Sequence, residues 1–255
     1  MTNKSKTFSI YQNPQLYDDI MWWKKDDIEF YKKVIKKYNV KNVLELCCGT
    51  GRIGLPLIES NIDYSGIDIS QNYIDFFNSK LGCNTLSNIQ VGNAQNFSLN
   101  KKFDLIIIGF NSIAHLLNDE DIMSCFKSVY NHMHKKSIFI IDIFMPTHEL
   151  TSNLNTQKID LMDFKDSTKN QILKIYESNH YNHETEVNTV KWEFYNQKKL
   201  NIYSYQFDMR MLFPDTLHSL LAESKLLVSH FYGNYDFSNF ESESEKQIYI
   251  CKRKN

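Results

Sequence analysis

Val43-Leu44-Glu45-Leu46-Cys47-Cys48-Gly49-Thr50-Gly51-Arg52-Ile53-Gly54 decides how this chain is read. An apolar run ends in a glycine turn that opens straight into a helical pattern. Glycine is needed where the backbone turns sharply and a ligand must come close. The spacing satisfies G-x-G-x-x-G, and Asp68 follows about 20 residues later, at the end of the next apolar run. A carboxylate there can accept two hydrogen bonds from ribose hydroxyls. Together these features predict an adenosine-type ligand at the carboxyl ends of parallel strands.

Outward from the turn, short apolar runs alternate with helical patterns. The runs are 42–46, 63–69, 103–109 and 137–144, with a weaker one at 88–91, and helical stretches fill 52–60, 70–80 and 118–133. This alternation predicts right-handed crossovers, and near-continuous apolar strands fit a sheet covered on both faces. The fold class expected is α/β, Rossmann-like and doubly wound, with a mainly parallel sheet. Ser70 and Asn118 are set to cap helices, the second with an acidic first turn. A helix over 27–38 carries Ile28, Tyr31, Ile35 and Tyr38 on one side and lysines on the other.

After Phe144 the texture changes. Runs 171–181, 187–195 and 200–213 are β-rich, with polar turns at 182–186 and 196–199, and predict an antiparallel hairpin or meander. A short helix capped by Asp215 and two last strands, 226–232 and 246–252, follow. The organisation expected is an N-terminal helical cap (1–40), a Rossmann-like domain (41–149 and 214–255) ending in an antiparallel strand, and a small antiparallel β insertion (150–213) over the substrate site.

The chain has 255 residues, 42% hydrophobic and 23% charged, and can bury a sizeable core unaided. Lysine plus arginine is 29 and aspartate plus glutamate 30, a net charge of −1, which argues against a nucleic-acid partner needing a basic face. No apolar run reaches bilayer length, so no membrane partner is expected. Five cysteines match neither a disulfide framework nor paired zinc-ligand spacing and predict a reduced, cytoplasmic protein. A monomer or homodimer is expected.

The glycine pattern alone does not separate a nicotinamide dinucleotide from S-adenosylmethionine. Glu45, four residues before Gly49, favours the second: a carboxylate there answers a cationic amino group, where the dinucleotide fingerprint is apolar. On LELCCGTG (44–51), GIDIS (66–70), FDLIIIGFNSIAHL (103–116) and the ending FYGNYD…KQIYICKRK, the chain resembles the class I S-adenosylmethionine-dependent methyltransferases over about 42–144 and at its last strands. Leu16-Tyr17-Asp18 and Ser112–Leu116 resemble the small-molecule, amino-sugar type N-methyltransferase branch.

The resemblance implies S-adenosyl-L-methionine as cofactor and assigns roles. Glu45 would meet the methionine amino group, directly or through a water. Gly49 and Gly51 would pass beneath the methionine and ribose, with Cys47 in the same loop, and Asp68 would hold the ribose hydroxyls. Ile69 would pack on adenine, with Asn93 and Ala94 at its edge; Asn93 stands where the family has an acidic residue. Phe110 would border the sulfonium. Tyr17 is expected to contact the cofactor or the acceptor.

The sulfonium methyl is already activated, so the enzyme's task is in-line placement and exclusion of water. Fourth-strand residues Gly109-Phe110-Asn111 carry no carboxylate cluster, so no metal is expected. The same stretch lacks the Asn/Asp-Pro-Pro-aromatic motif of nucleic-acid amino-methyltransferases, leaving a small-molecule acceptor. His115 and Tyr17 are the catalytic candidates, His115 as base or orienter; their structural alternatives are a packed helix-start histidine and an aromatic anchor. Neither Cys47 nor Cys48 reads as a nucleophile, since no base is paired with them. The expected activity is methyl transfer to an amine nitrogen. O-methylation, a nicotinamide-dependent oxidoreductase and a non-catalytic cofactor-binding protein remain as alternatives.

Overall fold

The computed structural model describes residues 7–8, 10–82, 87–151 and 158–254. Residues 1–6 of the expected cap, Cys83 and residues 152–157 of the expected insertion lie outside them. In chain order the elements are β1 (Thr7–Phe8), α1 (Pro14–Met21), α2 (Asp26–Tyr38), β2 (Asn42–Leu46), α3 (Gly54–Glu59), β3 (Asp63–Asp68), α4 (Gln71–Ser79) and β4 (Asn88–Val91). Then come β5 (Phe103–Ile108), α5 (Asp119–His132), β6 (Met133–Phe144), α6 (His148–Thr151), β7 (Ile159–Asp166), β8 (Gln171–Asn182), β9 (Val187–Asn196) and β10 (Asn201–Arg210). Helix α7 (Pro214–Glu223), β11 (Leu226–Tyr232) and β12 (Lys246–Arg253) close the chain.

The chain separates into two compact units, 24–145 with 212–255 and 1–23 with 146–211. This division differs from the expected one at the N-terminus. Residues 1–40 are not one cap: α1 belongs with the later β strands and α2 with the glycine-turn domain. The reason is where each helix buries its apolar side. Phe30, Tyr31 and Val34 of α2 enter a core with Val43, Leu105 and Ile140, whereas Leu16 and Ile20 of α1 pack with Phe164, Leu173 and Phe194.

In the larger unit the described residues form a seven-stranded sheet of order β11-β12-β6-β5-β2-β3-β4. Strands β4, β3, β2, β5 and β6 run parallel; β12 is antiparallel to β6 and β11 to β12, as the sequence pattern predicts. The chain leaves β2 toward β3 and β4, then crosses back to β5 and β6. This reversal beside β2 is the kind of crevice in which open α/β sheets bind ligands. Strands β2, β5 and β6 are buried almost throughout, as continuous apolar runs require.

Local signals behave as expected at two helix starts. The Ser70 side chain accepts from Tyr73 N at 3.3 Å, and Asn118 Oδ1 accepts from Asp121 N at 2.8 Å. Two expectations need correction. Asp215 is not the cap of α7; Phe213 holds that position and Pro214 begins the helix, its ring already set for the first turn. The buried stripe of α2 is Asp27, Phe30, Tyr31 and Val34, because Asp27 turns inward.

The smaller unit holds a second sheet of order β1-β10-β9-β8-β7, antiparallel except where β1 meets β10. Strand β7 and the β1 pairing were not anticipated. The β7 sequence IDLMDFKD carries three aspartates and a lysine, charges that suit an edge strand and mask its two-residue period.

Candidate functional site

The first strand of the larger sheet hands its chain to the glycine turn through three left-handed residues: Cys47 (φ 56°), Gly49 (φ 56°) and Gly51 (φ 87°). At Gly51 a Cβ would stand 2.5 Å from the Phe77 ring, so both conformation and space demand glycine. At Gly49 a Cβ would meet the Tyr73 ring at 3.8 Å, an ordinary contact, so the left-handed φ rather than crowding favours glycine there.

Asp68 ties the turn to the next strand. Its Oδ2 accepts from Gly49 N at 2.9 Å and its Oδ1 from Ser70 N at 2.8 Å. Burial pushes its carboxyl above the usual range, against those two bonds. Each oxygen retains a further lone pair for a hydroxyl donor. Ile69, directly after it, is 73% exposed, a large apolar side chain at the carboxyl end of β3. Gly92 N donates to Asp68 O at 3.0 Å, which brings the 92–95 segment alongside. There Asn93 Oδ1 accepts from Gln95 N at 2.9 Å, so its amide is engaged in a local turn, and Ala94 is buried.

Glu45 is 4% exposed and accepts the hydroxyl proton of buried Tyr64. Burial pushes its carboxyl up to about 8, opposed by the Tyr64 bond and by the Arg52 charge. The expected acid is therefore present on the strand, engaged with the core rather than turned to open solvent.

On the other side of β2, the chain leaving β5 makes two consecutive left-handed non-glycine residues, Phe110 (φ 48°) and Asn111 (φ 65°). Asp142 of β6 holds them. Its Oδ2 accepts from Phe110 N at 3.2 Å and its carbonyl from Asn111 N at 2.9 Å, while Asn111 Oδ1 accepts from Phe144 N at 2.8 Å. The same Oδ2 accepts from Tyr235 at 2.8 Å and Tyr31 at 3.4 Å. Burial raises the Asp142 carboxyl, against its hydrogen bond from Tyr235.

The Phe110 ring lies 4.5 Å from the Arg52 guanidinium and 5.8 Å from Lys24 Nζ. Both cations are anchored: Arg52 forks onto the fully buried Asp27 at 2.8 and 2.7 Å, and Lys24 meets Asp26 at 2.6 Å. Asp142, Lys24 and Asp27 were missed from sequence. The available signal is an acid, Asp142, inside the apolar run SIFIIDIF (137–144).

Thus Glu45, Cys47, Gly49, Gly51, Asp68, Ile69, Asn93, Ala94 and Phe110 lie along the carboxyl ends of four adjacent parallel strands, β4-β3-β2-β5. His115 ends a single 3₁₀ turn, Ser112–His115, after β5, and is exposed while Ile113 and Ala114 are buried. Tyr17 belongs to the smaller unit, where it packs half-buried against the Ile10, Leu16 and Ile20 cluster. His132 is a core histidine, its Nδ1 on Ser128 O at 2.7 Å and its Nε2 accepting from Leu99 N at 2.8 Å. Among the described residues no group of three or more His, Cys, Asp or Glu side chains is placed to hold a metal. No described helix is long and apolar enough to cross a membrane.

Residues 43–136 match the family described as "Methyltransferase domain". This segment is similar to methyltransferase domains. It begins at β2, spans the glycine turn, Asp68 and the Phe110 turn, and ends within β6. Among curated proteins, a putative methyltransferase, YqeM, of Bacillus subtilis (strain 168) is 28% identical over 102 residues, 40% of this chain and 41% of its own. A glycine/sarcosine N-methyltransferase of Aphanothece halophytica is 26% identical over 144 residues, 52% of this chain and 54% of its own. The chain spans about half the length of the curated relatives it matches.

Solved structures share the fold across nearly the whole chain. An S-adenosylmethionine-dependent methyltransferase from Clostridium acetobutylicum superposes with TM-score 0.78 at 19% identity, over 94% of this chain and 97% of that one. The CcbJ methyltransferase from Streptomyces caelestis gives 0.82 at 16%, over 97% and 99%. The sugar N-methyltransferase KedS8 from Streptoalloteichus gives 0.76 at 15%, over 100% and 98%.

Proposed function

We propose that this chain transfers a methyl group from S-adenosyl-L-methionine to a nitrogen of a small-molecule amine. The observation that carries the reading is the turn from β2 to α3. A left-handed glycine at Gly49, a carboxylate at Asp68 bonded to that glycine's N–H with lone pairs left over, and an exposed Ile69 stand together inside the segment that matches methyltransferase domains. These residues fit a nucleoside bearing a cationic amino-acid tail. When bound, the cofactor supplies a methyl group already activated by its sulfonium.

The chain's own residues then bind and exclude water. Asp68 orients the ribose hydroxyls, Ile69 covers the adenine face and Asn93 with Ala94 borders its edge. Glu45, in its ionised form, would meet the ammonium of the tail. Phe110 closes the rim beside the reacting methyl, and its backbone is held there by Asp142. His115 takes the amine proton, directly or through a water. The sugar N-methyltransferase KedS8 and the glycine/sarcosine N-methyltransferase among the relatives support nitrogen as the methyl acceptor.

The test is calorimetric titration of the protein with S-adenosylhomocysteine, followed by transfer of labelled methyl to a panel of small amines. Ligand at a hundred times its dissociation constant stabilises the native state by about 2.7 kcal/mol. A melting temperature unmoved by saturating S-adenosylhomocysteine overturns the reading, and stabilisation by NAD instead would favour a dehydrogenase.

A further inference from the structure

The connection between β11 and β12, residues 233–245, meets the end of β5 through one side chain, Tyr235. The connection is tied to itself: Gly233 N donates to Ser238 O at 3.0 Å, Phe240 N donates to Phe231 O at 3.1 Å, and Tyr232 bridges to Asn239. Phe30 of α2 seats it, its ring 5.8 Å from that of Tyr235 and 4.8 Å from that of Phe237. Tyr235 is thereby buried, with its hydroxyl turned inward to donate to Asp142 Oδ2 at 2.8 Å. All of these residues belong to the larger unit.

Asp142 Oδ2 is a shared acceptor. Phe110 N reaches it at 3.2 Å and Tyr31 at 3.4 Å, so the Tyr235 bond is the shortest of those on an oxygen with lone pairs for about two. Burial, and after it the Asp142 charge, raises the Tyr235 hydroxyl above its ordinary range, so it stays protonated and donates. Without that donor the buried oxygen keeps only its longer bonds, and the carboxylate is free to turn away from Phe110 N. A second tie runs through the rings. Lys24 Nζ, held by Asp26 at 2.6 Å, is 4.4 Å from the Tyr235 ring centroid and 5.8 Å from that of Phe110, so one ammonium serves both rings. Phe110 itself has φ 48°, a conformation that persists only where its surroundings impose it.

We propose that Tyr235 is a positioning residue for methyl transfer: acting through Asp142, it fixes Phe110, the aromatic side chain beside the reacting sulfonium. The proposal rests on the methyl-transfer reading, and it makes the C-terminal connection part of what holds the cofactor site in shape. Tyr235 touches neither cofactor nor acceptor in this role. Its effect falls on the ligand that carries the sulfonium methyl, because S-adenosylhomocysteine presents only a thioether at that place.

The test is calorimetric titration of the full chain with S-adenosylmethionine and with S-adenosylhomocysteine, in the wild type, Tyr235→Phe, Phe110→Ala and the double variant. Tyr235→Phe keeps the ring and drops the hydroxyl. It is expected to weaken S-adenosylmethionine binding at least about threefold, the worth of one hydrogen bond, and to leave S-adenosylhomocysteine within about twofold of wild type. In the Phe110→Ala background the same substitution is expected to cost S-adenosylmethionine nothing further, since coupled residues do not add. A merely structural role lowers both affinities by one factor, and that result overturns the proposal. Equal S-adenosylmethionine binding by wild type and Tyr235→Phe overturns it too, as does a full Tyr235→Phe loss in the Phe110→Ala chain. A para-fluorophenylalanine in place of Phe110 gives a reading that needs no ligand. Its fluorine resonance is expected to shift or broaden on Tyr235→Phe, and an unchanged line counts against the proposal even if the cofactor binds. If neither cofactor form binds the wild type, the methyl-transfer reading falls, and the role assigned to Tyr235 falls with it.

Discussion

Asp142 on β6 accepts the backbone N–H of Phe110, the residue after Gly109 at the end of β5, at 3.2 Å. Two successive side chains in the left-handed region cost about 1–3 kcal/mol each and persist only where the surroundings impose them. Asp142 does so with a side-chain and a main-chain acceptor together. Asp142→Ala leaves Phe110 N and the Tyr235 hydroxyl without their acceptor in a buried setting, at a cost of about 2–4 kcal/mol. Urea unfolding measures that loss. An amide oxygen at this position would restore an acceptor, so Asp142→Asn is expected to recover part of it.

The buried Glu45–Tyr64 pair makes a pH prediction. The folded carboxyl titrates at about 8 against an ordinary value of 4.5, so between those limits the native state holds a proton that the unfolded chain has released. Stability therefore falls as pH rises through that window, and the loss ends once Glu45 is ionised in both states. Wild-type stability is expected to decline between about pH 5 and 8 more steeply than that of Glu45→Gln. Cofactor affinity runs the other way, strengthening toward the alkaline end, because the ammonium favours ionised Glu45. Parallel curves for wild type and Glu45→Gln would refute both statements.

At the glycine turn, opposite substitutions are expected to have opposite signs. Gly51→Ala places a methyl against the Phe77 ring at φ 87° and is expected to cost more than about 2 kcal/mol. Cys47→Gly relieves a non-glycine residue at φ 56° and is expected to be neutral or stabilising by up to about 1 kcal/mol. Thermal melts of the two variants decide it.

The Arg52–Asp27 fork is the fourth test. Asp27 has no exposed surface, so Arg52→Ala strands a buried charge, at about 3–5 kcal/mol. Arg52→Lys keeps the charge but not the fork, and a smaller loss is expected. Equal unfolding midpoints for the two variants would show that the fork geometry contributes nothing.

The parallel sheet was legible because its strands are continuous apolar runs whose ends coincide with turn residues, and the glycine turn with Asp68 read correctly as neighbouring features. What stayed hidden depends on tertiary pairing. Asp27 reads as an N-terminal helix acid until Arg52 arrives from the glycine turn to bury it. Asp142 reads as a flaw in an apolar strand until Tyr31, Phe110 and Tyr235 surround it. Helix α1 looks like part of a cap with α2, since nothing local says that its seat is formed by β7 through β10.

The union of α1 with β7–β10 sets an order of events at the ribosome. The first helix emerges with Leu16 and Ile20 bare, and the strands that receive them are completed only at Arg210. At about 5–20 residues per second, that interval lasts on the order of ten seconds or more. Throughout it the nascent chain displays greasy side chains that a chaperone can grip, while most of the glycine-turn domain, encoded between the two pieces of its neighbour, is already taking shape.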